Sequence, residues 1–377
     1  MKSAFPEHFN PSKDEFKKIW ENCIFAVDAN VLLNLYRYSE KTGAELQRVL
    51  SSLKTRLYLP HQAAKEFFRN RLLVTAKQLV EYDKVITMAS ELAKLLEVTT
   101  KHPFLPETAN EKFLIATNEL QTNLRAQKAI LTKRLTDDEI LHFVEQLFAG
   151  QTGRSFDEKA TAEIIKEGQA RYAAQTPPGF QDEKKESVDD PTRKYGDLLV
   201  WKQVLAEGVS KGKPVIFITD DKKDDWWLRE AGHTIGPRPE LRREFLLETK
   251  NEFWMYSVHQ FVERVAEFKN EQVNDAALRE FVEVRNERPR YEKVLHPVLT
   301  EDEVFEEIID FQEIHPTADG SIGLKYFVVN FLGNRNFEIN HSYACLNALN
   351  ESGKIEIFRV EKNGFFTTRF RIVDTAN

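Results

Sequence analysis

A short apolar run that ends in an aspartate is the feature that most constrains how this chain folds. Residues 23–27, CIFAV, have the apolar and β-branched character of a strand that is buried on both faces. Apolar residues at helical spacing begin directly after Asn30. Asp28 therefore lies at the carboxyl end of a predicted strand, where open α/β sheets place their ligands. Its carboxylate is either a helix cap or part of a site.

The composition is that of an ordinary globular protein, and 377 residues are enough for two domains. No apolar segment approaches the roughly 20 residues that span a bilayer, and the N-terminal region has no secretion core, so we expect no membrane association and a cytoplasmic location. Cys23 and Cys345 have apolar surroundings, which favours buried thiols over zinc or disulfide chemistry. The net charge of −7 argues against binding to phosphates, unless acidic residues surround a divalent metal ion.

A second apolar run, PVIFITDD at 214–221, also ends in carboxylates. Between the two runs lie long helical patterns at 61–97 and about 107–175. Strands that alternate with helices predict a mostly parallel, layered α/β sheet over residues 1–268. The helical stretch at about 70–175 is either an inserted arm or a set of surface helices.

The C-terminal part of the chain has the pattern of a separate small domain. Residues 269–298 are rich in charge and predict a linker or a connecting helix. Over 299–377, three predicted helices, the second of which is SIGLKYFVVNFLG, precede a hairpin with its turn at Lys362-Asn363-Gly364. This is the order of elements in a winged helix-turn-helix domain.

Acidic residues fall at four positions that a parallel sheet would bring to one edge. Asp28 ends the first strand, Glu66 lies early in the next long helix, Asp197 opens a later helix, and Asp220-Asp221 end the second strong strand. Converging carboxylates raise each other's pKa unless a cation lies among them. Mg²⁺ and Mn²⁺ prefer oxygen ligands and support phosphodiester hydrolysis. Taken singly, Asp197 is more typical of a helix cap and Glu66 of a solvated surface.

Several stretches resemble the PIN-like nuclease superfamily, in particular its large bacterial branch with a long helical insertion. They run from about 20 to 268 and are VDANVLLNLYRY, LPHQAAKEFFRNR, RYAAQTPPGFQDEKK, YGDLLVWKQVL, VIFITDDKKDDWW and GPRPELRREF. The resemblance implies a three-layer α/β/α sheet and metal-dependent cleavage of nucleic acid. It also implies that Asp28, Glu66 and Asp197 are catalytic metal ligands.

The fourth ligand follows from a Thr-x-Asp pattern that the family places after the next strand. Here it is Thr219-Asp220-Asp221, which indicates Asp221 as the ligand, with Asp220 a close competitor and Asp225 a possible further ligand. The hydroxyl of Thr219 is expected to orient a carboxylate or a water molecule.

Other residues support weaker hypotheses. Asn30 either hydrogen-bonds Asp28 or caps the helix that follows, and Asp182 lies on a predicted loop that could close over the site. Trp226-Trp227 are more typical of packing than of base stacking. Candidate phosphate-binding side chains, each of which is also typical of ordinary surface charge, are Lys65, Arg69, Arg71, Lys222 and Lys223.

These observations and the resemblance predict a Mg²⁺- or Mn²⁺-dependent endonuclease. The resemblance alone implies that it favours RNA slightly over DNA and acts as a toxin or antiphage effector. One alternative is a DNA endonuclease guided by the C-terminal domain, and another is a PIN-like protein that only binds nucleic acid or a protein. A haloacid dehalogenase-type phosphatase is set aside because Asn30 occupies the position of its second aspartate. A protein partner or a homo-oligomer is expected through the helical insertion or the C-terminal domain.

Overall fold

Two separate hydrophobic cores divide the chain into units at residues 1–286 and 287–377. The structure is a computed structural model, and it describes residues 1–97, 106–183, 192–286, 300–317, 319–332, 339–362 and 365–373. The family-like region with its acidic residues lies in the first unit.

The first unit combines a parallel sheet, a separate hairpin and many helices. Its strands are β1 (Ile24–Val27), β2 (Leu57–Tyr58), β3 (Val215–Ile218), β4 (Trp227–Glu230), β5 (His233–Pro237) and β6 (Phe253–Tyr256). Its helices are α1 (Lys13–Asn22), α2 (Ala29–Asn34), α3 (Glu40–Ser51), α4 (His61–Glu97), α5 (Glu107–Arg134), α6 (Glu139–Leu147), α7 (Glu158–Ala173), α8 (Gly196–Lys211), α9 (Pro239–Thr249), α10 (Val258–Lys269) and α11 (Asp275–Asn286).

The sheet has the strand order β2-β1-β3-β6, and every neighbouring pair is parallel. β1 and β3 are the two central strands, and in their register Val27 lies beside Ile218. Their carboxyl ends therefore lie side by side, which places Asp28 next to the turn that begins at Thr219. The predicted α/β class with a mostly parallel sheet is confirmed.

Aromatic packing covers both faces of this sheet, which explains why its strands are apolar throughout. On one face Phe25 contacts Phe261 of α10, with ring centroids 5.5 Å apart. On the other face Trp201 of α8 contacts Phe253, with centroids 4.9 Å apart. Helices on both sides thus give the three layers that the resemblance implies. The β4–β5 hairpin, which pairs with antiparallel register, was not predicted.

The predicted helical insertion at about 70–175 covers most of α4 together with α5 to α7, and α4 packs along α5. A buried carboxylate connects these helices to the segment that follows α2. Asp138 caps α6 and accepts hydrogen bonds from the Tyr36 hydroxyl at 2.8 Å and from Arg71 Nη1 at 2.7 Å. Arg71 is therefore engaged in holding the fold. No helix in the described parts of the chain is long and apolar enough to cross a membrane.

Part of the predicted linker belongs to the first unit. α11 packs against α3 and α10, and Glu280 accepts hydrogen bonds from the hydroxyls of Ser39 at 2.7 Å and Thr42 at 2.6 Å. The first unit thus extends to Asn286 rather than to 268. The rest of the predicted linker, 287–298, lies outside the described residues.

The second unit is a small α+β fold around its own core. Its elements are α12 (Glu301–Ile314), β7 (Ile322–Gly323), a π-helix (Tyr326–Leu332), α13 (Ile339–Glu351), β8 (Ile355–Lys362) and β9 (Phe365–Ile372). The three strands form an antiparallel sheet with the order β7-β9-β8. The stretch 321–333 was predicted as one helix, but its first residues pair with β9 before the π-helix begins. The predicted turn residues Asn363 and Gly364 lie outside the described residues.

Replacing Phe217 with alanine is expected to lower the free energy of unfolding of the first unit by about 3–5 kcal/mol, because the change opens a cavity in the central strand. Phe217 is 1% exposed and its ring lies 5.2 Å from that of Trp226. All five tryptophans belong to the first unit, so urea unfolding followed by tryptophan fluorescence reports on that unit. The control Val209→Ala changes a side chain that is 54% exposed, and equal losses in the two variants would contradict the packing described.

Candidate metal-dependent active site

Asp28 sits where β1 passes into α2, and each of its carboxylate oxygens has partners. Oδ1 accepts a hydrogen bond from the Ala29 amide at 2.7 Å, so the residue caps α2. Oδ2 accepts from Asn30 Nδ2 and from the Thr219 hydroxyl, both at 2.6 Å. Asp28 is therefore a helix cap, and it is also hydrogen-bonded to Thr219 at the end of β3. A role as a helix cap is thus compatible with a role in a site.

Thr219 and Asn30 hold the ends of the two central strands together. The Thr219 hydroxyl, besides donating to Asp28, accepts a hydrogen bond from the Asp221 amide at 3.0 Å. Asn30 Oδ1 accepts from the Asp220 amide at 2.9 Å. Both side chains thus fix the backbone of the acidic turn relative to Asp28.

The consecutive residues Asp220 and Asp221 point to different surroundings. The Asp220 carboxylate is buried and accepts hydrogen bonds from Asn34 Nδ2 at 2.9 Å and from the Val258 amide at 3.0 Å, with Arg285 Nε at 3.7 Å. Asp221 Oδ2 lies 3.0 Å from Lys223 Nζ, within the acidic group described below. The structure therefore brings Asp221 to the candidate site and turns the side chain of Asp220 into the packing between β3 and α10.

Glu66 and Asp197 approach from α4 and α8. Glu66 Oε1 accepts a hydrogen bond from Gln62 Nε2 at 2.8 Å, one helical turn earlier. A Cβ atom on Gly196 would lie 2.7 Å from that same oxygen, so the missing side chain makes room for the Glu66 carboxylate beside Asp197. Asp197 lies in the first turn of α8 without capping it, because the cap position is Tyr195.

Lys223 joins three carboxylates at the centre of this group. Its Nζ lies 2.9 Å from Asp182, 2.8 Å from Asp197 and 3.0 Å from Asp221. Asp197 also accepts a hydrogen bond from Trp226 Nε1 at 3.2 Å. Sequence reasoning gave Asp182 little weight, since a loop acid carries no periodicity signal, yet the structure places it in the group. We call Asp28, Glu66, Asp182, Asp197 and Asp221 the acidic cluster.

The acidic cluster perturbs the protonation of its own members. Burial raises the pKa of Asp28 to about 8; the hydrogen bond from Thr219 opposes this shift, and the nearby charges of Glu66, Asp197 and Asp221 add to it. Burial also raises the pKa of Asp221, against the effect of the Lys223 ammonium. Burial would lower the pKa of Lys223, but the surrounding carboxylates outweigh it and raise that pKa. The site therefore favours positive charge.

Asp225 holds a loop against the acidic cluster. Its Oδ2 accepts hydrogen bonds from the amides of Gly179 at 2.9 Å and Gln181 at 3.1 Å, while its buried Oδ1 has no hydrogen-bond partner. Burial raises the pKa of Asp225 to about 6, and the charge of Asp197 adds to this effect. Gly179 has a φ of 93°, which favours glycine. The loop brings Asp182 to Lys223; its sequence signals were the Pro-Pro-Gly run and the family-like stretch RYAAQTPPGFQDEKK.

The predicted phosphate-binding and base-stacking residues make fewer contacts with the acidic cluster. Lys65 and Arg69 are exposed on α4, and Lys222 Nζ donates a hydrogen bond to Asn286 Oδ1 at 2.9 Å. Trp226 and Trp227 are each 2% exposed, so both pack inside the protein and neither presents a face to a base.

The donor set suits a hard divalent cation, although its present arrangement does not form a ready site. Within the described residues, no three acidic, histidine or cysteine side chains are placed so as to hold a metal ion. The cluster nevertheless offers only oxygen donors, which Mg²⁺ and Mn²⁺ prefer. The carboxylates of Asp182, Asp197 and Asp221 already share one ammonium at 2.8–3.0 Å, and Asp225 Oδ1 lacks a partner. Chemically, the residues fit a divalent ion.

A parallel sheet between helical layers, with carboxylates gathered at its carboxyl edge, defines an α/β protein with a candidate metal-dependent site. The chain belongs to the PIN-like domain family, whose model matches residues 24–241. Domains of this family typically bind nucleic acid and act as nucleases that use divalent metals. No curated protein and no solved structure matches the chain significantly.

Replacing Asp28 with asparagine is expected to change how the stability of the metal-free protein depends on pH. The folded state keeps a proton on Asp28 up to about pH 8, whereas the unfolded chain loses it near pH 4. The wild type therefore loses stability as pH rises between these values. In EDTA, the stability of Asp28→Asn relative to wild type should rise by about 1–3 kcal/mol from about pH 5 to about pH 8.

Urea unfolding at several pH values measures this difference. The control is Asp224→Asn, because Asp224 lies in the same turn with a side chain that is 62% exposed. A difference between Asp28→Asn and wild type that stays constant with pH would contradict the raised pKa.

Proposed function

We propose that this protein is a Mg²⁺- or Mn²⁺-dependent endonuclease that hydrolyses phosphodiester bonds. The observation that carries the proposal is the meeting of Asp28, Glu66, Asp197 and Asp221, from four different elements, at the carboxyl edge of a PIN-like sheet. Burial raises the pKa of Asp28, and the other three carboxylates add to that shift; carboxylates that are kept together in this way are typical of a functional site.

In this proposal Asp28, Glu66, Asp197 and Asp221 hold the metal, and Asp225 offers its unpartnered Oδ1 as a further ligand. A bound divalent ion would activate a water molecule and stabilise the leaving oxygen. Thr219 and Asn30 orient Asp28 and the acidic turn through the hydrogen bonds described above. Asp220, which the sequence also nominated as catalytic, has a positioning role here because its carboxylate caps the first amide of α10.

The substrate is proposed to be RNA rather than DNA, on the strength of the family resemblance. Lys65 and Arg69 lie on the exposed side of the helix that carries Glu66, which supports contacts to substrate phosphates. Lys222 follows Asp221 directly and is a third candidate, whereas Lys223 is held by the acidic cluster. A role as a toxin or antiphage effector, which rests on the family resemblance alone, and a cytoplasmic location, which rests on the sequence, complete the proposal.

The helical arm supports the proposal of a protein partner or a second copy of the chain. On α4, Val85, Met88, Leu92 and Leu95 recur at intervals of three and four residues, and each is at least 44% exposed. Such spacing is typical of a helix face that packs on another helix. Two rival functions remain: a DNA endonuclease guided by the winged-helix-like second unit, and a PIN-like protein that binds without cleavage.

Replacing Asp221 with asparagine is expected to reduce cleavage by at least about a hundredfold, because the metal loses a charged ligand. Purified protein would be incubated with labelled single-stranded RNA, single-stranded DNA and duplex DNA in Mn²⁺, Mg²⁺ or EDTA. Cleavage of RNA alone would support the favoured substrate, and cleavage of duplex DNA would support the guided DNA endonuclease.

The control for this experiment is Asp224→Asn. Asp224 lies in the same turn, but its carboxylate is 3.5 Å from Arg229 and does not pair with Lys223. The rate of this variant should stay within about twofold of wild type, as for a surface substitution. Binding of nucleic acid without cleavage in any metal would contradict the enzyme and favour the binding protein.

Gly196→Ala is expected to impair cleavage without impairing folding. The added methyl group would lie 2.7 Å from Glu66 Oε1, so the carboxylate must move away from the cluster. Folding should be spared, since Gly196 is helical and alanine favours helices. The cleavage rate and the thermal midpoint would be measured together, with Gly43→Ala as control because a Cβ there meets no atom within 4 Å. Full activity of Gly196→Ala would exclude the placement of Glu66 in the site.

A further inference from the structure

The Lys223 side chain is largely buried among carboxylates, although it belongs to a charged turn. Its side chain is 22% exposed, while the side chains of Asp182, Asp197 and Asp221 around its Nζ are 7%, 19% and 19% exposed. The neighbouring Lys222 instead reaches away to Asn286. The two consecutive lysines therefore occupy different environments, and only Lys223 lies among the acids.

The three partners of Lys223 come from three separate parts of the fold. Asp182 belongs to the loop that Asp225 anchors, Asp197 to α8, and Asp221 to the turn after β3. Distances of 2.8–3.0 Å are those of charge-assisted hydrogen bonds. Since an ammonium has three donors and no acceptor, one Nζ satisfies one oxygen of each acid. This is a compact cation with oxygen neighbours on three sides.

The same oxygens are the ones that a divalent ion would need. Asp197 and Asp221 are metal ligands in the proposed function, and their Oδ2 atoms are the ones that contact Lys223. Two cations would repel each other strongly if both used these oxygens at such short range.

We propose that Lys223 is an internal competitor of the catalytic metal: its ammonium holds the cation position between Asp182, Asp197 and Asp221, and a divalent ion displaces it. This inference rests on the proposed function for the identity of the ion. Lys223 is then a positioning residue that keeps the acidic cluster assembled before the metal arrives. Its displacement frees Asp182, carried by the anchored loop, as an additional oxygen donor beside the metal.

The first test measures Mn²⁺ binding by calorimetry, without any substrate. Lys223→Gln should bind Mn²⁺ at least about tenfold more tightly than wild type, because the competing ammonium is gone. The control Lys222→Gln removes the same charge one residue away and should shift the affinity by less than about threefold. Equal gains in Mn²⁺ affinity in the two variants would show that the loss of one positive charge anywhere near the site is enough, and would overturn the inference.

The second test observes the ammonium itself in the wild-type protein. Acylation by an amine-reactive ester, read by mass spectrometry of the peptide that contains both lysines, reports how accessible each Nζ is. In EDTA Lys223 should react slowly, and saturating Mg²⁺ should raise its rate about tenfold or more while that of Lys222 stays unchanged. A Lys223 that stays protected when Mg²⁺ is bound would show that both cations coexist, and would overturn displacement.

These tests separate the inference from the proposed function. If Mg²⁺ exposes Lys223 but no nucleic acid is cut, the displacement stands and the nuclease proposal fails. If the wild type cuts nucleic acid while Lys223 stays protected, the nuclease stands and the displacement fails. If neither the wild type nor Lys223→Gln binds Mn²⁺, both are wrong.

Discussion

The crowding of carboxylates at one edge of a parallel sheet is the constraint on which the rest of this structure depends. Acids that are buried side by side repel one another and lose hydration, and both effects raise their pKa. Among the described residues, the Lys223 ammonium lies between three of the acids and offsets part of this cost. Burial raises the pKa of Asp28 to about 8, and the charges of Glu66, Asp197 and Asp221 add to this shift. The remaining negative charge is what makes the edge attractive to a divalent cation.

Specific contacts of the fold hold the acids in place despite this repulsion. Parallel pairing of β1 with β3 puts Asp28 beside Thr219, and the hydroxyl of Thr219 and the amide of Asn30 connect the two strand ends. Gly196 leaves the space that Glu66 fills. Asp225 holds the loop that delivers Asp182. Each contact involves only two or three residues, but together these contacts fix side chains that are far apart in sequence.

The sequence predicts the two central strands correctly because buried apolar runs are a regular signal, whereas it misses the β4–β5 hairpin; the roles of the acids stay predictions. The buried runs that end at Asp28 and Thr219 predicted the central strands, and the family pattern pointed to Asp221 ahead of Asp220. It did not foresee that Asp220 turns toward α10 or that Lys223 turns inward, since alternation of side chains in an irregular turn follows no period. Asp182 was undervalued for the same reason: its place depends on hydrogen bonds between Asp225 and the backbone, which no sequence motif encodes.

The most direct test of this account is the anomalous diffraction signal of Mn²⁺ in crystals of the wild-type protein. We expect a peak bounded by the carboxylates of Asp28, Glu66, Asp197 and Asp221, with the Lys223 ammonium moved away from Asp197 and Asp221. The contrary result is a crystal in which Mn²⁺ binds elsewhere, or does not bind at saturating concentration, while Lys223 still contacts its three acids. In that case the ammonium would be the permanent counter-ion of a site that does not carry out metal-dependent chemistry.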